Sequence, residues 1–84
     1  MSPITKRKAR QASLERVFRI RRENVRLLIK HYESRNNLAR VLGCTAAFLT
    51  HIAGENPIRS IGEAWARGTE VKLNLPHGWF DIQR

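Results

Sequence analysis

The sequence predicts an all-α fold, a compact bundle of about five helices containing a helix-turn-helix. Three observations carry this. Residues 38–52, LARVLGCTAAFLTHI, form two short apolar-faced segments joined at Gly43. An amphipathic turn, a glycine and a second amphipathic helix make the pattern in which the second helix enters a DNA groove. Residues 13–33 repeat apolar side chains near i, i+3 and i+4 with no Gly or Pro. No stretch alternates as a half-buried strand would, and no internal repeat is visible.

The elements follow in order. Residues 1–11 read as a flexible basic arm carrying Lys6, Arg7, Lys8 and Arg10, ahead of a single domain over 12–84. Such an arm reaches phosphates or a groove, or is simply a solvated tail. Helix 1 spans 13–33, with Ser13 as N-cap and Leu14, Phe18, Val25, Leu28, Ile29 and Tyr32 on its apolar stripe. Arg21 falls where an apolar residue would continue that stripe. One long helix and a break near 18–20 are both open. Arg19, Arg22, Arg26 and Lys30 line another face and read as solvated.

Residues 34–37 break the pattern and supply caps for helix 2, over about 36–42. Its first turn, with Arg35, Asn36 and Asn37, offers backbone N–H groups and a positive dipole end to a phosphate. Gly43 suits a left-handed turn. Helix 3 starts from the cap Thr45 and stops at Gly54. Pro57 keeps Asn56 out of a helix. Ser60 and Glu63 match a capping box for helix 4, whose stripe is Ile61, Trp65, Thr69 and Leu73, with Ala66 beside it. Asn74 fits a left-handed cap. Pro76 opens a last short helical turn to Ile82.

The charge balance is asymmetric. Residues 1–40 carry twelve basic and three acidic side chains, and residues 41–84 carry four of each, so the whole excess of +9 lies in the first forty. With an isoelectric point near 11.4, this implies a polyanionic partner, nucleic acid before an anionic membrane. The single cysteine, Cys44, cannot close an internal disulfide and fits a reducing compartment. No apolar run approaches a membrane span, and no apolar segment follows the basic N-terminus as a secretory signal requires. A cytoplasmic protein is expected.

With these residues in place, the chain resembles the lambda-repressor-like, or Cro/phage-repressor-like, helix-turn-helix family. The likeness runs through RRENVRLLI (21–29), LARVLG (38–43) and SIGEAWAR…LNLPHGWFD (60–81), about sixty residues in all. The resemblance implies a DNA-binding transcriptional regulator, a repressor, in a bacterial or phage-infected cell and associated with the nucleoid. It implies that Thr45, Ala46, Ala47, Thr50 and His51 read base edges in the major groove. It implies phosphate contacts at Arg35, Asn36, Asn37, Arg40, Arg59 and Ser60. It also implies a homodimer on a pseudo-palindromic operator. Trp79, Phe80 and Ile82 are the expected dimer surface, with the N-terminal helix as a competing one; Phe80 packs internally in the alternative. The family often has a long polar side chain where Ala46 and Ala47 stand. Alanine touches a thymine methyl or lets the helix sit deeper.

Little points to catalysis. There is no P-loop, dinucleotide fingerprint or nucleophile elbow, and the carboxylates are scattered. His31, His51, His77 and Cys44 share no metal-ligand spacing. No enzyme activity, cofactor or metal is expected. Trp65 and Trp79 read as core anchors and Cys44 as a small buried hydrophobe. Two further readings stay open beside the regulator: a weakly specific DNA-binding accessory protein, and an antitoxin or adaptor module that docks on an acidic protein or RNA.

Overall fold

The computed structural model describes residues 3–84, with side chains described from Ser13 onward. Among the described residues the order is α1 (Pro3–His31), α2 (Arg35–Leu42), α3 (Ala46–Ala53), α4 (Glu63–Lys72) and a C-terminal 3-10 turn (Trp79–Asp81). Four α-helices are therefore present, and the expected fifth is only that turn. Pro76 and the left-handed Gly78, at φ +86°, leave three residues before the extended Ile82, too few for an α-helical ladder. None of the described helices is long and apolar enough to cross a membrane.

α1 is one continuous helix of 29 residues, so there is no break at Phe18 or Ile20. Ser13 lies inside it and caps nothing, which corrects the expected start at that residue. The side chains of Lys6, Arg7, Lys8 and Arg10, on which the expectation of a basic arm rests, lie outside the described residues. At its other end α1 stops where Glu33 turns left-handed, at φ +74°. Ser34 then takes over as N-cap of α2, its hydroxyl accepting from the Asn37 N–H at 3.1 Å.

α2 ends in a Schellman turn. Gly43 sits at φ +71°, its N–H bonds to Arg40 O, and the Cys44 N–H reaches back to Ala39 O at 3.0 Å. α4 closes in the same way with Asn74, at φ +57°, as the left-handed residue and the Leu75 N–H on Glu70 O at 2.7 Å. The capping box expected at its start is not formed. Gly62 is the cap and contributes no side chain. The Glu63 carboxylate is held instead by Arg21 at 2.7 Å and Arg67 at 3.4 Å, so it cannot reach back to residue 60.

α1 is the hub, packed against α2, α3 and the C-terminal turn. The core joins Val25 and Leu28 of α1 to Leu38, Ala39 and Leu42 of α2 and to Leu49, Ile52 and Ala53 of α3. Ile61, Ala66 and Phe80 close it. Phe80 is completely buried, edge-on to Trp79 with centroids 5.1 Å apart and 5.7 Å from Trp65. It is a core residue and cannot belong to a dimer surface. The two tryptophans pack half-buried against the core. Cys44 is half-buried rather than interior.

Two glycines are required for different reasons. Gly43 needs only its left-handed backbone, because a Cβ there would meet nothing within 4 Å. Gly54, which ends α3, has an ordinary φ, but a Cβ would stand 2.6 Å from the Thr50 carbonyl oxygen. Gly43→Ala is expected to cost about 1–2 kcal/mol of backbone strain. Gly54→Ala is expected to cost more, because backbone must move to relieve the overlap. Urea unfolding midpoints of the two variants check the order, and a milder Gly54→Ala would show that the end of α3 gives way freely.

Candidate nucleic-acid interface

α3 is eight residues long, too short to be stable by itself. Its ends are therefore held from outside. At the start, Thr45 accepts from the Phe48 N–H at 3.0 Å, as expected for an N-cap. At the far end every late carbonyl has a donor. Thr50 O takes the Gly54 N–H, and His51 O takes those of Ile58 and Arg59. Ile52 O accepts from Arg22 Nε at 3.1 Å, and Ala53 O from Arg26 Nε at 3.0 Å. Arg26 Nη2 also donates to Gly54 O at 2.7 Å. Arg22 and Arg26 were expected on a solvated face. They are instead cations placed at a helix C-terminus, where dipole and lone pairs favour them.

This clamping turns Leu49, Ile52 and Ala53 into the core and leaves Thr45, Ala47, Thr50 and His51 exposed, with Ala46 half-buried at the edge. At 100° per residue Ala47 lies between Thr50 and His51. Ala47, Thr50 and His51 thus share the outward face, with Thr45 at its N-terminal end and Ala46 only at its half-buried edge. Gly54 does not join them, being buried. Thr50 Oγ1 donates back to Ala46 O at 3.1 Å.

The expected phosphate residues divide. Arg35, Asn36, Arg40, Arg59 and Ser60 are exposed. Asn37 is partly engaged: its backbone N–H goes to Ser34 and one N–H of its amide donates to Tyr32 O at 2.9 Å. The N–H groups left at the start of α2 are those of Arg35 and Asn36. An open cleft of about 440 Å³ sets Arg35 beside Arg26, Ala53, Gly54 and Glu55, at the carbonyl end of α3. Glu55 puts a negative charge in the same cleft. A second cleft sets Arg59 and Ser60 beside Phe48, Ile52 and Trp65. Positive side chains therefore flank α3 from two sides.

Between α1, α4 and the C-terminal turn lies an ionic cluster, centred on buried Arg21 and Glu70, that the sequence reading missed. Arg21, 5% exposed, donates to Asp81 at 2.6 Å, to Glu63 at 2.7 Å and to Ile61 O at 2.9 Å. Arg67 bridges Glu63, Glu70 and Asp81. Its Nε stands 3.1 Å from Glu70 Oε1 at an angle that makes an ion pair but no hydrogen bond. Glu70, buried inside α4, accepts from the N–H groups of Gly78 and Phe80, each at 3.0 Å. Buried Asn24 donates to Phe80 O and Ile82 O. The signal was present in the sequence: Arg21 and Asn24 both stand on the apolar side of α1.

Hydrogen bonding from Arg21 holds the Asp81 carboxyl below the usual carboxylate range, and the same bond raises the Arg21 guanidinium. Burial pushes the Cys44 thiol up, which disfavours the reactive thiolate. Among the described residues no three or more His, Cys, Asp or Glu side chains converge as a metal site. No family model matches the chain, and neither curated proteins nor solved structures yield a match.

Asp81 has a folded-state value below its unfolded value of about 3.9. The stability this difference supplies is complete above that pH and is lost as pH falls through the folded value. Asp81→Asn is expected to lower stability at neutral pH and to flatten the fall below about pH 4. Urea midpoints across pH 2–7 check this. An unchanged acid profile would mean that Asp81 is not the coupled group.

Proposed function

We propose that this protein is a double-stranded DNA-binding regulator of transcription, a repressor that inserts α3 into the major groove. α2, the Gly43 turn and α3 act as a helix-turn-helix, and a homodimer sets two copies of α3 in successive grooves, about 34 Å apart, on a pseudo-palindromic operator. Occupation of a site overlapping a promoter excludes polymerase. On this reading the protein works in the cytoplasm, on the nucleoid.

One observation carries the reading. The only outward face of α3 is clamped at both ends and flanked by exposed Arg35 and Arg59, in a chain of net charge +9. A rigid, small-residue helix face between cations suits a groove between two phosphate ridges. The resemblance in residues 21–29, 38–43 and 60–81 supports it as well. For the dimer, Ile82 is 58% exposed, and an apolar cleft is lined by Leu27, Leu28, His31, Leu75 and Trp79. These apolar side chains support a dimer surface that does not need Phe80. A second reading, a DNA-binding accessory protein with little sequence preference, is favoured by Ala46 and Ala47, which offer no hydrogen bond to a base.

Fluorescence anisotropy with a duplex selected from a random pool, against unselected duplex, separates the two. A regulator binds the selected duplex at least about a thousandfold more tightly at physiological salt; a ratio near one establishes the accessory reading. Failure to bind any duplex at low salt removes both and favours docking on an acidic protein or RNA. Arg35→Ala and Arg59→Ala are each expected to weaken binding to all duplexes alike and to reduce the salt slope by about 1. His51→Ala is expected to narrow the ratio between selected and unselected duplex.

A further inference from the structure

We infer that Ala46 and Ala47 of α3 read the C5-methyl groups of thymine, with hydrogen bonds to base edges left to the polar side chains around them. The inference rests on the DNA-binding reading and deepens it by naming what the helix reads. Charge complementarity commits the face to this occupant: exposed Arg35 and Arg59 lie on either side of α3, the placement that the two phosphate ridges of a duplex groove would meet.

The argument turns on where the polar atoms of α3 go. Ala47, at the centre of the outward face, offers only a methyl group. Ala46, at its edge, offers another. The Thr50 hydroxyl proton is spent on Ala46 O. Its methyl lies toward Gly54, within 3.0 Å of where a Cβ would stand there. Thr45 gives a lone pair to the Phe48 N–H. The centre of the face, at Ala47, therefore presents carbon, and the polar atoms around it are the remaining lone pairs of Thr45 Oγ1 and Thr50 Oγ1 and the His51 imidazole.

In the major groove the thymine methyl is the one apolar feature among donors and acceptors. An alanine Cβ placed over N7, O6, O4 or an exocyclic amine excludes water from that group and returns nothing, which is unfavourable. Placed over a thymine methyl it buries apolar surface on both sides. The short side chains also let the α3 backbone approach the groove floor closely enough for that contact. Preference for thymine then arises at the positions facing Ala46 and Ala47.

The test removes the methyl and nothing else from the base-pairing pattern. A duplex selected from a random pool is synthesised with thymidine and again with deoxyuridine, and both are titrated with the full chain. The expected result is a loss on the deoxyuridine duplex of about fourfold for each methyl contacted, the factor carried by one methyl-sized group. Ala47→Gly removes the contacting carbon and is expected to shrink that loss. Ala47→Ser keeps the helix where the glycine variant fails to fold, and is expected to shrink it too, because its hydroxyl disrupts the apolar contact. Circular dichroism confirms that each variant is folded. Equal binding of the two duplexes by the wild type overturns the inference and leaves DNA binding standing. A deoxyuridine penalty unchanged in every folded Ala47 variant also overturns it, since the methyl would be read elsewhere. Failure to bind either duplex at low salt overturns the DNA reading itself.

Discussion

An eight-residue helix ends in carbonyls that it cannot satisfy, and this constraint organises the molecule around α3. Arg22 and Arg26 of α1 donate to the carbonyls of Ile52, Ala53 and Gly54. The loop after α3 returns two N–H groups to His51 O. Buried without these donors, each carbonyl would carry a desolvation cost of about 1–3 kcal/mol. With them, α3 is fixed in position and in rotation, because the donors approach from one side. Its apolar face then has one place to go, and the outward face follows.

The same logic of a charged side chain serving distant backbone recurs across the fold. Lys72 of α4 donates to Leu42 O at the end of α2. Glu70 binds the first N–H groups of the C-terminal turn, and Asn24 its last carbonyls. Arg21 ties α1 to α4 and to that turn at once. Such a cluster adds less net stability than its short distances suggest, because burying charge is costly. Removing one partner strands another in the interior, and that is where the cluster enforces a single arrangement. It holds the C-terminal turn so that Phe80 fills the space between Trp65 and Trp79.

The local elements were legible because local rules govern them. Ser34 and Thr45 are caps in the sequence and in the structure, since a short hydroxyl side chain reaches an N–H three residues on. Gly43 and Asn74 are left-handed, the backbone state these residues tolerate best. The exposed side of α3 was legible too, from the periodicity of Leu49, Ile52 and their neighbours. Errors arose where a residue had a choice. Ser60 and Glu63 have the pattern of a capping box, but Arg21 and Arg67 compete for the carboxylate and win. Arg22 and Arg26 have the pattern of a solvated face, but carbonyls at the end of a helix 27 to 30 residues away lie within reach. One N–H of the Asn37 amide goes to Tyr32 O, a partner that its own helix does not supply.

The sequence by itself determined the all-helical class, the α2–Gly43–α3 arrangement, the side of α3 that stays outside and the placement of positive charge in the first forty residues. Each depends on periodicity, on capping within a few residues or on simple composition. Only the tertiary structure decided the fate of the long polar side chains and of Phe80. Arg21, Arg22, Asn24, Arg26 and Glu70 can each be solvated or spent on a distant group. The choice depends on which backbone atoms the folded chain brings within about 3 Å. For α3 that choice is decisive: the side chains that hold it in place come from α1, while the residues it presents outward are its own.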